Sequence, residues 1–456
     1  MRNKLRVLML LVVIIGLMYG EIGKRFPSER KVIRDPVTNN KLIFLTNNSV
    51  NDSRIYPTHP QWTSDGNWVI FRSERVPGEA MAVNEKTGRM VQVTEGGYTG
   101  RLNIAHKSMK LYFMRKVKTE ENQKSHLKVI ELDLAKLFED SKTGNVKSAQ
   151  HYETVCGTIP DEFGGSHGMA LDANENWMYF RLTKKEAAKH LADSIKIKEN
   201  FGPRDMGAGP GGIGKLNLNT GELKHVVSVP FQVGHIQANT WKSGEIIFCW
   251  ETGGKSPQRS WVVNADGSGL RPLYPESKYE WVTHEAVINE NEVAMAIMGH
   301  RPIDTKNSEE SGPGQEKAWG PSGTREKPTG LAIVNLRTRE MNIVGQIPFG
   351  SGFWHVHGSP DGRWAVGDNF SRSVYLIDRI DRETMLLSTG HKRSAENHVH
   401  PSFSRNSKKI IIQSAMLSED GSMDICVIPV PDKWLNKTYK DLPEKWRNKI
   451  KSVESK

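Results

Sequence analysis

The sequence predicts an all-β chain, a seven-bladed β-propeller, and three observations carry that expectation. Histidine-bearing segments recur, from the second onward at intervals of roughly 40 to 70 residues, a period typical of repeat architectures. They are Thr58-His59-Pro60, Ser166-His167-Gly168, Gly234-His235-Ile236, Thr283-His284-Glu285, His355-Val356-His357 and His398-Val399-His400-Pro401. Short apolar runs follow each segment, separated by turn signals, as in a blade of four strands. The ends of the repeat region also complement each other: Pro429 and Pro431 interrupt the last repeat before a fourth strand, and the run at 41–45 can supply it. Such pairing closes the ring and hides sheet edges that would otherwise stay open.

Each repeat is justified in turn. The first runs from His59-Pro-Gln-Trp through Trp68, Met81-Ala-Val and the Lys86-Thr-Gly turn to Met90; the second starts at Arg101 and continues through Leu111-Tyr-Phe-Met and Leu127. The third and fourth follow from Ser166 (Trp177-Met-Tyr-Phe, then Ile213) and from Gly234 (Ile246-Ile-Phe-Cys, then Trp261-Val-Val). The last three start at Val282, His355 and His398, with apolar runs at Val293, Leu331, Trp364, Val374, Ile410 and Asp424. If the histidines start innermost strands, they converge on one mouth of the central channel. Imidazoles gathered there can hold a metal or exchange protons.

A single propeller is therefore expected over 35–430, flanked by a segment at 1–20 and an extension at 431–456. Arg2, Lys4 and Arg6 precede an apolar run at 7–18, the pattern of an export signal and short for a membrane span. The protein is accordingly expected to be periplasmic or secreted. A clean small-x-small cleavage site is missing near Met18-Tyr19-Gly20, so an uncleaved anchor stays open as the one membrane contact. Cys156, Cys249 and Cys426 are odd in number and widely spaced, which argues against a disulfide framework or a cysteine metal site and for buried small residues. In the extension, Trp434, Leu435, Tyr439, Leu442 and Trp446 fit a short helix packed on the propeller's outside.

Net charge is +11 with an ordinary charged fraction of 25%, as for a folded basic protein and not a disordered tail. A cleft of one charge sign concentrates opposite charges, so a polyanionic ligand is expected. No recognised nucleic-acid motif is present, and an acidic oligosaccharide or polysaccharide suits an exported protein better. Oligomeric state is not legible. Two loops interrupt the blade rhythm, at 183–212, with a helix-like stretch at 184–199, and at 303–328. The match of Gly209-Pro-Gly-Gly-Ile-Gly214 to a dinucleotide fingerprint carries no weight, because a strand follows it and not a helix.

The order Gly234-His-Ile-Gln-Ala-Asn-Thr-Trp, Phe248-Cys-Trp-Glu-Thr, Arg259-Ser-Trp, Asn264-Ala-Asp-Gly-Ser, Val282-Thr-His-Glu and His398-Val-His-Pro-Ser-Phe-Ser resembles the oligogalacturonate lyases, polysaccharide lyase family 22. The resemblance is clearest from the fourth repeat onward. It implies a seven-bladed propeller that cleaves uronic-acid chains by β-elimination with a divalent metal, manganese first and Zn, Ca or Ni as alternatives. It also implies His284, His398 and His400 as metal ligands. The family's glutamine upstream of the histidine pair falls on Ala395, which leaves His355 or His357 to complete the set. His235 matches the family's catalytic base. The family's arginine, one blade earlier, falls in the stretch where this chain offers only Lys215, so Arg259, Arg204 or Lys215 is expected to take its role. The typical family member is cytoplasmic, a departure from the export expected here.

Read from the residues alone, His59, His167, Arg204 and Trp354 are candidate substrate contacts, with Tyr56 and Trp241 as further sugar-stacking candidates. His59 and His167 also fit hydrogen bonding within their blades. Arg259, flanked by Pro257 and Trp261, also fits a structural ion pair. Two other readings remain beside the lyase. One is a propeller enzyme resembling ulvan lyases, and the other is a non-catalytic binding propeller resembling TolB.

Overall fold

The computed structural model describes residues 21–118, 125–166, 168–252, 256–276, 280–300, 329–347, 352–393, 395, 397–439, 444 and 446. The proposed export segment at 1–20, the loop at 303–328 and His167 lie outside the described residues.

Alternating apolar residues and tight turns build seven antiparallel sheets, arranged as the blades of a propeller. Blade 1 runs from the channel outward through Asp52–Arg54, Trp68–Ser73, Ala80–Asn84 and Met90–Gln92, with Arg25–Phe26 added outside. Blade 2 contains Thr99–Ile104, Lys110–Lys118, Ser125–Asp133 and Glu153–Pro160. The inner strands of blades 3 to 6 are Ala170–Leu171, Val233–Ala238, Glu280–Asn289 and Phe353–Gly358. Blade 7 starts at Ser402–Phe403, and its outer strands come from the opposite end of the chain. Lys41–Phe44 pairs with Asp424–Pro429, Ile43 facing Val427, and Lys31–Arg34 lies beyond it. The ring therefore closes as the sequence predicts, and its sheets reach back ahead of residue 35.

The same turn recurs where a blade's first strand passes to its second. Thr63, Ser359 and Ser404 hydroxyls donate to Asp65, Asp361 and Asn406, and the next corner is made at positive φ by Gly66 (71°), Gly362 (73°) and Ser407 (61°). Ser407 meets that corner with a side chain, in a region that favours glycine, as does Glu175 at φ 57° in the blade 3 turn. Between blades, apolar faces interlock: Phe113, Leu111, Ile70 and Val91 share one cluster, and Phe44, Trp364, Leu376 and Ile412 share another. Burying each such side chain contributes roughly 1.5–3 kcal/mol.

Three helices bear on the sequence reading. Leu134–Thr143, not anticipated, is capped by the Asp133 carboxylate on the Lys136 N–H and ends at Gly144, φ 77°. It buries Leu134, Leu137 and Phe138 on one face. Of the helix-like stretch at 184–199 only Lys184–Ala188 is helical, and the following strand, Ala208–Asn217, starts inside the Gly-Pro run. The expected helix of the extension is present as Asp432–Leu435, with Trp434 against Trp364 at 5.4 Å and Arg363 donating to the Trp434 and Leu435 carbonyls. Among the described residues no helix is long and apolar enough to cross a membrane.

Candidate active site

One backbone device repeats at the mouth of the channel. In blade 4, Gly234 faces Cys249 while Gln237 faces Ile247, so three steps on the inner strand oppose two on its neighbour and His235 is extruded. Blade 5 does the same between Thr283 and Ala286, at His284 and Glu285; blade 6 does it between Phe353 and Val356, at Trp354 and His355. In blade 2 the slip lies between Thr99 and Asn103, at Arg101. Blade 1 takes the longest detour: its inner strand leaves the ladder after Arg54 and rejoins it at Trp62, and the detour carries Tyr56 and His59. Bulges of this kind re-aim side chains and gather beside active sites. His235, His284 and His400 sit at φ 45°, 54° and 50°, strained for residues that carry a Cβ and held by the surrounding blades.

Imidazoles from blades 5, 6 and 7 thereby meet. The His355 ring lies 4.2 Å from that of His284, 3.8 Å from His400 and 5.3 Å from His398, centroid to centroid. Burial first, and neighbouring histidines next, hold His284, His355 and His400 well below the usual imidazole range, so these rings are neutral. Asp368, from the second strand of blade 6, accepts the His355 backbone N–H at 2.6 Å and stands 3.4 Å from Nδ1 of both His355 and His398. Donor atoms of His355, Asp368 and His398 fall within 4.8 Å of one another, and Nδ1 of His398 is buried with no hydrogen-bond partner among the described residues. Imidazoles with a carboxylate are donors for Mn, Fe, Ni or Zn and poor ones for Ca, which prefers all-oxygen sets. The residues present fit a transition-metal ion.

The structure redistributes the ligand expectations. Gln413 donates to the His398 carbonyl at 2.7 Å and stands 3.0 Å from Nδ1 of His400, so His400 is oriented by a side chain the sequence reading did not single out. His357 is apart from the cluster. It lies beyond the bulge, buried, with Nδ1 2.8 Å from the Gly358 carbonyl and approached by the Phe403 N–H. Asp368 was also missed; its only signal was an acid ending the apolar run from Trp364.

His235 occupies a second group. Its Nε2 is 3.4 Å from Glu251 and its Nδ1 3.8 Å from Glu285, with the Tyr56 ring 5.4 Å away. Burial depresses its pKa, opposed by the two carboxylates, so the imidazole is neutral and its Nδ1 has no hydrogen bond among the described residues. Cys249 lies beside it, buried as expected, its thiol donating to Glu251 at 3.6 Å. Cys156, in contrast to expectation, is partly exposed.

Several expected substrate or catalytic contacts are engaged elsewhere. Arg259 is buried and its Nε donates to Glu285 at 3.1 Å; burial opposes its charge, but the Glu285 and Glu251 carboxylates outweigh that and keep it protonated. It orders the carboxylates behind His235. Lys215 donates to the Ala265 carbonyl at 2.7 Å and lies over Trp177, away from the histidines. His59 has both nitrogens taken, by Thr58 and by the Met169 carbonyl at 2.7 Å each, and burial pushes its pKa down to about 3. It ties blade 1 to blade 3. Arg204 is exposed on the blade 3 loop at φ 52°. Trp354 does stand at the mouth, 4.4 Å from the His284 ring.

No family model matches the chain. The oligogalacturonate lyase of Dickeya dadantii is 23% identical over 441 residues, covering 90% of this chain and 98% of that enzyme. The chain is a distant, full-length relative of the oligogalacturonate lyases. The oligogalacturonide lyase of Pectobacterium atrosepticum agrees, at 21% identity over 445 residues and 99% of its length. Among solved structures, an oligogalacturonate lyase in complex with manganese shares the fold at a TM-score of 0.68, with 17% identity over 91% of this chain and all (100%) of that one. A Vibrio parahaemolyticus oligogalacturonate lyase does so at 0.67 and 19% identity.

Proposed function

We propose that this protein cleaves uronic-acid chains, oligogalacturonates first, by metal-assisted β-elimination. The observation that carries the reading is His235, a neutral imidazole extruded by the blade 4 bulge on the same mouth as the histidine and Asp368 cluster. A base of this kind removes the C5 proton, α to the uronate carboxylate. The C4–O bond then breaks with its electron pair on the glycosidic oxygen, which takes up a proton, and a C4=C5 double bond remains. Glu251 and Glu285 favour the imidazolium that His235 becomes, and Arg259 fixes Glu285 in place. His355, Asp368 and His398 would hold the metal, with His284 and His400 beside them, manganese being the first choice from the relative solved with it. Such an ion supplies charge that neutralises the substrate carboxylate and stabilises the enolate-like state. The net charge of +11 favours an acidic polymer, and export through the segment at 1–20 is part of the proposal.

The test is ultraviolet absorbance of the metal-loaded protein with oligogalacturonate, ulvan and glucuronan in parallel. A conjugated double bond formed from oligogalacturonate supports the reading. Turnover of ulvan alone would move the assignment to that polymer, and chain shortening without absorbance would replace elimination by hydrolysis.

A further inference from the structure

The arginine that the lyase resemblance places one blade before His235 has no counterpart at that position, and Arg259, the nearest substitute in sequence, is locked to Glu285. Blade 2 presents another. Arg101 stands in the inner-strand bulge equivalent to those that extrude His235, His284 and His355. The bulge is shaped by Gly100, at φ 76°, where any Cβ would collide with the Ser166 carbonyl of the next blade. The Arg101 guanidinium lies 4.6 Å over the Tyr56 ring, and that ring is 5.4 Å from both His235 and His400. Its side chain makes no hydrogen bond among the described residues, and one terminal nitrogen, Nη1, is buried without a partner. Among the described residues the two fully buried arginines are satisfied: Arg54 donates to the His400 and Ile411 carbonyls and to Ser402, and Arg259 to Glu285.

A half-buried cation with a buried, unpaired nitrogen is costly, because desolvation penalises the charge and no acceptor offsets it. Burial accordingly lowers the Arg101 pKa, although Tyr56 and Glu251 act against that. A site that leaves a guanidinium in this state is built to be completed by an anion. We propose that Arg101 is a substrate-binding residue that grips a uronate carboxylate, on the sugar next to the one undergoing elimination, with the Tyr56 ring packed between that grip and His235. The planar fork of arginine matches a carboxylate with two parallel hydrogen bonds, which a lysine does not reproduce. The inference rests on the lyase reading above and adds to it a charge-recognising position outside the metal and base.

Three proteins separate the possibilities: wild type, Arg101→Met and Arg101→Lys, each loaded with Mn2+ and assayed by double-bond formation on trigalacturonate and on its partially methyl-esterified form. Arg101→Met keeps the side chain's bulk and removes an unpaired charge, so it should unfold at or above the wild-type temperature. It should raise KM for trigalacturonate roughly 10- to 100-fold, the scale of a lost charge-assisted hydrogen bond. It should also narrow the preference for the free acid over the methyl ester, with Arg101→Lys intermediate. A wild-type KM and an undiminished preference in a folded Arg101→Met would overturn the assignment while leaving the lyase reading intact. A Met variant that fails to fold leaves the decision to Arg101→Lys, whose KM and ester preference must shift the same way or the assignment falls. If wild type forms no double bond from any uronate oligomer, the lyase reading fails and this inference with it.

Discussion

Blades 4 to 6 and blades 1 and 2 displace the inner strand from its ladder at the mouth and load that position with different chemistry. On the first side the bulges carry imidazoles backed by acids, His235 with Glu251 and Glu285 and His355 with Asp368, which His398 also approaches from ahead of the blade 7 strands. On the other they carry Tyr56 and Arg101, while His59 is tied between blades through both nitrogens. Position in the repeat therefore decides that a side chain is aimed at the mouth. What stands behind it decides whether it is free to act. A neutral imidazole with a carboxylate is a base or a ligand, and an imidazole bonded on both sides is a strut.

The largest effect that would break this comparison is expected at Glu285. Glu285→Ala leaves the buried Arg259 with Glu251 as its remaining acid, and removing one partner of a buried pair costs about 3–5 kcal/mol. Denaturant unfolding should show that loss; stability equal to wild type would mean that the acids behind His235 are not a structural unit. Next comes the metal cluster. His398→Ala should weaken Mn2+ affinity by a factor between that of a lost outer partner, about 10- to 100-fold, and complete loss. Calorimetric titration checks this, and unchanged affinity would place the ion elsewhere. The smallest effect is expected at Lys215, engaged with the Ala265 carbonyl. Lys215→Met should leave turnover on oligogalacturonate unchanged, and a fall in turnover with the fold intact would return Lys215 to the site.

Much of the fold was legible because a propeller repeats a local pattern, and the pattern at Trp364 or Ile410 announces its blade without help from distant residues. Ring closure was legible for a related reason: Pro429 forbids one more strand and Lys41–Phe44 offers it. The helix Leu134–Thr143 was missed although Asp133 and Gly144 marked both of its ends. In the site, the histidines were visible as recurring types, but their roles depend on partners brought in from other strands. Asp368, Gln413 and Glu251 lie 13 residues beyond His355, 13 beyond His400 and 16 beyond His235, at the far side of a hairpin. Arg101 was noted only as the start of a repeat, because a bulge and an unpaired nitrogen leave no mark in sequence.

The central claim, that the blade 4 bulge presents a base to a sugar held at the metal, is tested most directly by His235→Ala. In the metal-loaded protein, double-bond formation from oligogalacturonate should fall about 100-fold or more, with Mn2+ content, unfolding temperature and trigalacturonate binding retained. Elimination at the wild-type rate in that variant would contradict the account.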